Sequence, residues 1–378
     1  MIVRLAARGD GVTESGRFVP MTAPGDLVAP DGTVTPGPHH QLPPCRHFPE
    51  CGGCQLQHVD DAAYADYLKD RIAAALAAQT VVAPDIRDSH LSPPRSRRRA
   101  TLKAAGGVVG FNEAASHRIV DMRECHILRP ELFALVAPLR RLLVGRASAS
   151  MTLADQGVDL LLEGVIADNL AAAEAMTAFA RENGLARLAL DDRYGPQTIW
   201  EPKPVTVTLS GTPVALPHGA FLQATAEGEA ALVATVREAV GDARVVADLF
   251  AGLGTFALAL SGKIYAAEGA RDAALGLKGA GRDLFVDHRD LFRRPLDVAE
   301  LNRFEAVILD PPRAGAKEQI PLLAASNVAK IAYVSCNPGT FARDAKTLID
   351  GGCRLDWVKP VGQFRWSTHV ELAACFSR

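Results

Sequence analysis

The residues of this chain that could do chemistry gather in two places. In the last third, five short stretches follow one another: Asp248-Leu-Phe250-Ala-Gly252-Leu-Gly254, Glu268, Asp310-Pro-Pro-Arg313, Cys336-Asn-Pro-Gly-Thr340 and His369-Val-Glu371. Near the N-terminus, Cys45, Cys51 and Cys54 fall within ten residues. The first group combines a nucleophile, several carboxylates and a cation. The second is a set of thiols.

The C-terminal group reads as a cofactor turn joined to a reactive edge. A buried strand ends at Asp248, a glycine turn follows, and a helix is expected after it. Glycine permits a sharp turn and a close ligand approach. Glu268 ends the next strand, sixteen residues after Gly252, where an acid can accept hydrogen bonds from both ribose hydroxyls. The turn lacks the GxGxxG spacing of dinucleotide sites and the Lys-Ser/Thr of phosphate loops. A ribose acid without a phosphate cradle suits a nucleoside-like cofactor, and S-adenosylmethionine is the candidate.

Asp310-Pro-Pro-Arg313 ends a further strand, with prolines that fix the backbone. Methylases that act on exocyclic amines commonly carry an aromatic after the two prolines; here that position is Arg313, so amine methylation is disfavoured. Cys336 directly follows a buried strand at the same sheet edge. Arg313 nearby is expected to lower its thiol pKa, since the thiolate is the reactive species. Cys353 and Cys375 lack such neighbours and read as packing residues. A thiolate at Cys336 can add to C6 of a pyrimidine and turn C5 into a carbanion that attacks a methyl donor. A base must then remove the C5 proton, and Glu371 is the candidate.

These residues need an open sheet to hold them. VVADLF, KIYAAE, EAVILD and IAYVSC each read as a buried parallel strand, which implies a doubly wound α/β unit from about residue 216 to 378. Residues 41–215 read as a mixed α/β unit: a helix over about 62–78, an arginine-rich hairpin over 95–112, helices over 131–145 and 169–182, and strands over 185–190 and 203–216. Residues 1–40 read as short strands and a proline linker, with five prolines and two glycines between residues 30 and 44. Three units suit a chain of 378 residues at about 150 residues per domain.

Composition excludes several classes. Lys plus Arg is 41 against 43 for Asp plus Glu, a net charge of −2, so a generally basic nucleic-acid coat protein is excluded while a local basic patch is not. No apolar run approaches the roughly 18 residues of a membrane span. The start, MIVRLAARGDG, lacks the apolar core of a signal peptide, so a cytoplasmic location is expected. Seven cysteines, three of them tightly grouped, then point to metal binding before disulfides. Four thiolates suit structural zinc or an iron–sulfur cluster.

DLFAGLGTFAL, DPPRAG, YVSCNPGTFARD and HVEL together resemble, in order, the motifs of the uracil-C5 RNA methyltransferase family, which makes 5-methyluridine. The resemblance implies a Rossmann-like S-adenosylmethionine methyltransferase domain, a mixed α/β central domain with an iron–sulfur site, and a truncated OB-like (TRAM) N-terminal segment. It implies Cys336 as nucleophile and Glu371 as base. Gln223, Asp248, Phe250, Gly252, Gly254, Glu268, Asp290 and Asp310 would hold the cofactor, with Asp290 on the adenine side. Arg313 would lie beside the uracil. The family often has Asn two residues after the glutamine; this chain has Thr225. Cys45, Cys51, Cys54 and Cys125 match the four-cysteine [4Fe–4S] site of the ribosomal-RNA branch, with zinc as the alternative metal. LAARGDGV and GRFVPMTAPGDLV fit the first half of a TRAM barrel whose remaining strands are expected to be missing. Arg97 and Arg98, with Arg95 and Arg99, are candidates for phosphate contact. The expected partner is therefore RNA, ribosomal in preference to transfer RNA, with the target base flipped out of the fold and the protein a monomer. A second reading, an inactive RNA-binding assembly factor, is opposed by Cys336 and Glu371. A cytosine-C5 enzyme is opposed by the absence of a Cys beside Pro311 and Pro312, and a DNA methylase by the TRAM-like start.

Overall fold

The architecture was obtained as a computed structural model, which describes residues 1–82, 85–192 and 194–378. Its largest sheet follows from apolar runs that alternate between two covered faces. Ala247, Leu249, Val307, Leu309, Ile331 and Tyr333 enter one core, and Val246, Ala306, Ile308, Ala332 and Val334 enter the other. Period-two alternation sends neighbours to opposite faces, and both faces are apolar because helices or a hairpin cover each. The helices Asp61–Ala78 and Pro338–Asp350 supply the first core; Ala226–Val240, Arg271–Lys278 and the hairpin Thr206–Leu209/Thr212–Ala215 supply the second.

The sheet has eight strands, in the order Phe285–His288, Lys263–Glu268, Val245–Leu249, Ala306–Leu309, Lys330–Ser335, Glu371–Ser377, Arg354–Gly362 and His90–Leu91. The first five are parallel, and Glu371–Ser377 runs antiparallel to both of its neighbours. The carboxyl ends of the five parallel strands therefore meet the amino end of the Glu371 strand at one edge. Open α/β sheets bind ligands at that edge.

The expected boundary at residue 215 does not separate two packing units. His90–Leu91 pairs with Arg354–Gly362. The helix Asp61–Ala78 buries Tyr64, Tyr67, Leu68, Ile72 and Leu76 against the large sheet's core, not the central one. Asp60 caps it by accepting from Ala63 N at 2.8 Å.

The central sheet runs Pro196–Trp200, Arg187–Asp191, Gly157–Glu163, Ala147–Ala154, Arg99–Ala105, Val108–Gly110. A buried bidentate pair between Arg187 and Asp159 (2.8 Å for each bond) ties its parallel strands together. The single helix expected over 131–145 is two, Pro130–Ala134 and Val136–Leu142. Pro138 has no N–H to continue the first into the second. The single strand expected over 203–216 is a hairpin. Ser210 and Gly211 both have positive φ, the twist that a tight two-residue turn needs.

The N-terminal segment holds a three-stranded sheet, Ile2–Leu5, Gly11–Thr13 and Phe18–Val19, and a separate ladder of Leu27–Val28 with Val34–Thr35. The proline-rich stretch is thus partly structured rather than a plain linker. Buried Asp26 fastens it, accepting from Ala23 N, Gly37 N and the His40 ring within 2.8 Å. Among the described residues, no helix is long and apolar enough to cross a membrane.

Candidate active site

Strand register sets the reactive pair. Ser335 lies opposite Leu372, and Val361 opposite Glu371. Cys336 directly follows Ser335, and Glu371 directly precedes Leu372, so both flank the last pair of the antiparallel ladder, and the Glu371 carboxyl acts on the Cys336 thiol. Asp310 leaves the neighbouring strand at the same level, its N–H directed to Leu249 O at 3.3 Å.

The CNPGT stretch then fixes what flanks the thiol. Asn337 caps the helix Pro338–Asp350: its Oδ1 accepts from Gly339 N at 3.0 Å, and its Nδ2 donates to Arg313 O at 3.1 Å. Thr340 Oγ1 donates to the same carbonyl at 3.3 Å. Pro338 pre-sets the first turn. Cys336 therefore sits just before a helix N-terminus, where the backbone field favours a negative sulfur. Buried Asp344 secures the Asp310 loop by accepting from Tyr333 Oη at 2.6 Å and Ala316 N at 2.9 Å.

The free site holds its protons. Burial, followed by the carboxyls of Glu371 and Asp310, pushes the Cys336 thiol up to about 11; Arg313 opposes this only weakly. The expectation of a thiol lowered by Arg313 is thus corrected: at neutral pH the resting Cys336 is protonated. Burial, with Asp310 beside it, raises Glu371 to about 8. Burial alone raises Asp310 to about 7. A base titrating near neutrality is matched to removing a carbon-bound proton.

Beside this pair lies the glycine turn. Glu268 accepts from Gly252 N at 2.7 Å and from Ala270 N at 2.6 Å, which locks the turn against the second strand and leaves lone pairs for hydroxyl donors. Phe250, Gly252 and Gly254 all have positive φ. The two glycines differ in role. A Cβ on Gly252 would meet nothing within 4 Å, so its Cα faces open space, whereas one on Gly254 would come within 2.4 Å of Leu277 Cδ1. Gly252 thus has room beside it for a ligand, and Gly254 is a packing glycine. Asp248 is fully buried: Oδ2 accepts from Ala257 N at 2.9 Å, Oδ1 has no partner, and burial raises the group to about 8. Phe250 meets Phe292 at 5.5 Å between ring centres. Asp290, exposed past the Phe285–His288 strand, accepts from Phe292 N at 3.0 Å.

Gln223 joins the two halves. Its Nε2 donates to Asp310 Oδ2 at 3.3 Å, and its Oε1 accepts from Gln363 Nε2 at 2.7 Å. Gln363 carried no sequence signal, because only the fold brings it 140 residues back to Gln223. Thr225 faces away from the pocket; it caps the helix Ala226–Val240 and hydrogen-bonds Ser92 at 2.7 Å.

With this geometry in place, comparisons decide the family. The family model described as tRNA (Uracil-5-)-methyltransferase matches residues 284–378. The 23S rRNA (uracil(1939)-C(5))-methyltransferase of Edwardsiella ictaluri is 30% identical, over 91% of this chain and 83% of its own. The chain belongs to the RNA uracil-C5 methyltransferase family. An uncharacterised RNA methyltransferase of Zymomonas mobilis is 54% identical over 100% of this chain and 99% of its own. In fold, the chain matches the Pyrococcus abyssi tRNA (uracil-54, C5)-methyltransferase bound to S-adenosyl-L-homocysteine, with a TM-score of 0.73, 22% identity and 99% of each chain covered.

The arginines of this methyltransferase are not equivalent. Arg98 is held by Glu229 in an ion pair whose side chains are 11% and 13% exposed, and it donates to Gln223 O at 3.0 Å. It positions Gln223 and is not free for RNA, contrary to expectation. The Arg97 guanidinium lies over the rings of Phe111 and Phe364, 5.7 and 5.2 Å from their centres, with Nε on Arg99 O. It packs two segments together. Arg99 donates to Leu222 O at 2.9 Å and lies over Phe221, which is 62% exposed two residues before Gln223. Sequence reading passed over Phe221; a large exposed aromatic beside a pocket glutamine was its only signal.

Cys45, Cys51, Cys54 and Cys125 line one cavity, with Phe48, Phe111 and Gln57. All four are free thiols, raised by burial, Cys54 to about 12. Among the described residues, no group of three or more His, Cys, Asp or Glu is arranged to hold a metal ion.

Proposed function

We propose that this methyltransferase forms 5-methyluridine in large-subunit ribosomal RNA, using S-adenosylmethionine, Cys336 as nucleophile and Glu371 as base. The single observation that supports the mechanism is that Cys336 and Glu371 flank the ladder pair Ser335 and Leu372, close enough for the carboxyl to act on the thiol. Solvent water takes the Cys336 proton first, which leaves Glu371 free for the later step; the sulfur then bonds to C6, and the C5=C6 electron pair moves onto the ring carbonyl. C5 attacks the methyl carbon of the sulfonium, and S-adenosylhomocysteine departs. Glu371 takes the C5 proton, the C5=C6 bond re-forms, and the C6–sulfur bond breaks, returning the thiolate. Arg313 would face the uracil, and Glu268 the ribose of the cofactor. The cytoplasm is the corresponding place of action, and a monomer suffices because both reactive groups come from one chain.

The ribosomal target is supported by the Edwardsiella ictaluri relative and by the four cysteines. Four free thiols around one cavity supply the ligand types of a thiolate-bound cluster, and binding would draw them into the arrangement that the described residues do not have by themselves. Cys45, Cys51, Cys54 and Cys125 would hold a [4Fe–4S] group, which would staple the loops around them; zinc is the other metal such a set takes.

The test is tritium release from RNA labelled at uracil C5, taken from a strain lacking the enzyme. Release from large-subunit ribosomal RNA that requires S-adenosylmethionine supports the reading. Release from transfer RNA alone would move the target. No release from either would favour the RNA-binding assembly factor.

A further inference from the structure

The outer face of the central sheet is buried at Asp159, Arg187 and Ala189 but lies uncovered along the strands Arg99–Ala105 and Ala147–Ala154. Ala100, Leu102, Ala104, Ala149, Met151, Leu160 and Leu162 pack beneath it against Leu132, Leu139, Met176 and Phe179. The alternate residues face outward: Arg99, Thr101 and Lys103 on one strand, opposite Thr152, Ser150 and Ser148 on the next. These pairs are tied laterally, Thr101 to Ser150 at 2.9 Å and Lys103 Nζ to Ser148 Oγ at 2.7 Å. The outer face is thus a row of hydroxyls with a cation at each end.

The row has direction. Arg99, at one end, touches Leu222 O and Phe221 beside the pocket glutamine. Lys103 lies four residues further, about 13 Å along the strand. There the row opens into a groove of about 540 Å³, lined by Lys103, Arg146, His117, Asn112 and Ser148. Glu163 is the one carboxylate among its described lining residues, and no Phe, Tyr or Trp lines it.

We propose that this uncovered face is a second RNA-binding site, a lane for the sugar–phosphate backbone of the strand flanking the target uridine. The proposal rests on the chain acting on RNA. Cations and hydroxyls fit phosphate oxygens and 2′-hydroxyls, and beyond Phe221 at the entrance the groove's described lining holds no stacking aromatic, which makes that part of the lane indifferent to base sequence. The lane begins where the target base enters and ends in the Lys103–Arg146 groove. It lets a chain of net charge −2 hold a polyanion by local charge.

The test compares fluorescein-labelled oligouridylates of about 30 and about six nucleotides, the shorter near the size of one single-strand site. In Lys103→Ala/Arg146→Ala, affinity for the longer strand is expected to fall about tenfold. The salt dependence of its log affinity should become shallower by about 1.4, at about 0.7 per phosphate contact. Affinity for the shorter strand and kcat in tritium release should stay unchanged. Glu163→Lys should tighten the longer strand without touching the catalytic edge, which keeps the test open if the double variant unfolds. Unchanged affinity and salt slope for the longer strand in both variants would overturn the lane and point to a protein partner for this face. Equal weakening of both oligomers would overturn it too, since that is a general charge effect. Absence of tritium release in the parent protein, with intact long-strand binding, would instead count against the proposed Cys336 and Glu371 chemistry.

Discussion

The catalytic edge and the cysteine cavity both bury thiols, yet they surround them differently. At the edge, one thiol meets two carboxyls, Glu371 and Asp310, and a helix N-terminus. In the cavity, four thiols face one another, with the Arg97 guanidinium acting on Cys54 and Cys125. Burial raises the pKa in both places. The difference lies in what can release the proton. Under the proposed function, a substrate carbon would accept the sulfur at the edge, and a nearby base would complete the cycle. In the cavity, only a group that binds several thiolates at once would compensate for ionising them. On that proposal, one residue type would serve covalent catalysis in one region and ligation in the other.

Substitutions can break that contrast. The largest effect is expected from Cys336→Ala, which should remove all turnover and all covalent RNA adduct on denaturing gels while leaving iron content unchanged; retained turnover would remove the thiol mechanism. Glu371→Gln should slow turnover about 10²- to 10⁴-fold and accumulate adduct, since the C5 proton is no longer taken. A variant turning over normally would free Glu371 from the role of base. Cys51→Ser should do the converse at the other site, losing iron and sulfide by elemental analysis and lowering soluble yield. Zinc without sulfide in anaerobically purified protein would settle the metal the other way.

Arg98→Ala should cost about 3 kcal/mol in denaturant unfolding, because it leaves Glu229 buried without its cation. The salt slope of RNA binding should not change, which separates Arg98 from a phosphate contact. The smallest effect concerns pH. Catalysis needs the Glu371 carboxylate, so kcat should rise with pH through about 8. Stability moves oppositely. A carboxyl raised from 4.5 to about 8 keeps a proton in the folded state that the unfolded chain has lost, so stability falls as pH rises between those values. Asp248 and Asp310 add to the same fall. Melting temperature between about pH 5 and pH 9 should drop less in Glu371→Gln than in the parent protein.

Much of the site could be read before the fold because its motifs are local. Strand end and turn lie within ten residues at Asp248–Ala257, though the helix expected after them is only the 3₁₀ turn Ala257–Ala259, and Asn337 caps the helix that begins at the next residue. Other features could not be read. Arg98 lies in an arginine run that resembles a phosphate patch, yet Glu229, 131 positions away, takes its charge. The helix Asp61–Ala78 belongs to the central region by sequence order, but its Tyr64 reaches the segment before Glu371: Tyr64 Oη donates to Phe364 O and Ser367 O, each at 3.1 Å. The hairpin Ala147–Ala154/Gly157–Glu163 went unread because residues such as Ala147, Ser148 and Ala149 carry little strand preference.

By itself, the sequence determined the parallel strands, the glycine turn, and the residue types of nucleophile, base and four thiols. Each of these depends on neighbours a few positions apart. Only the tertiary structure decided which charges remain free and where protons rest. It made Cys336 a protonated thiol, Arg98 a brace and Gly254 a packing residue, and it left the outer face open along the strands Arg99–Ala105 and Ala147–Ala154. Those properties depend on burial and on partners more than a hundred residues away, which no local pattern encodes.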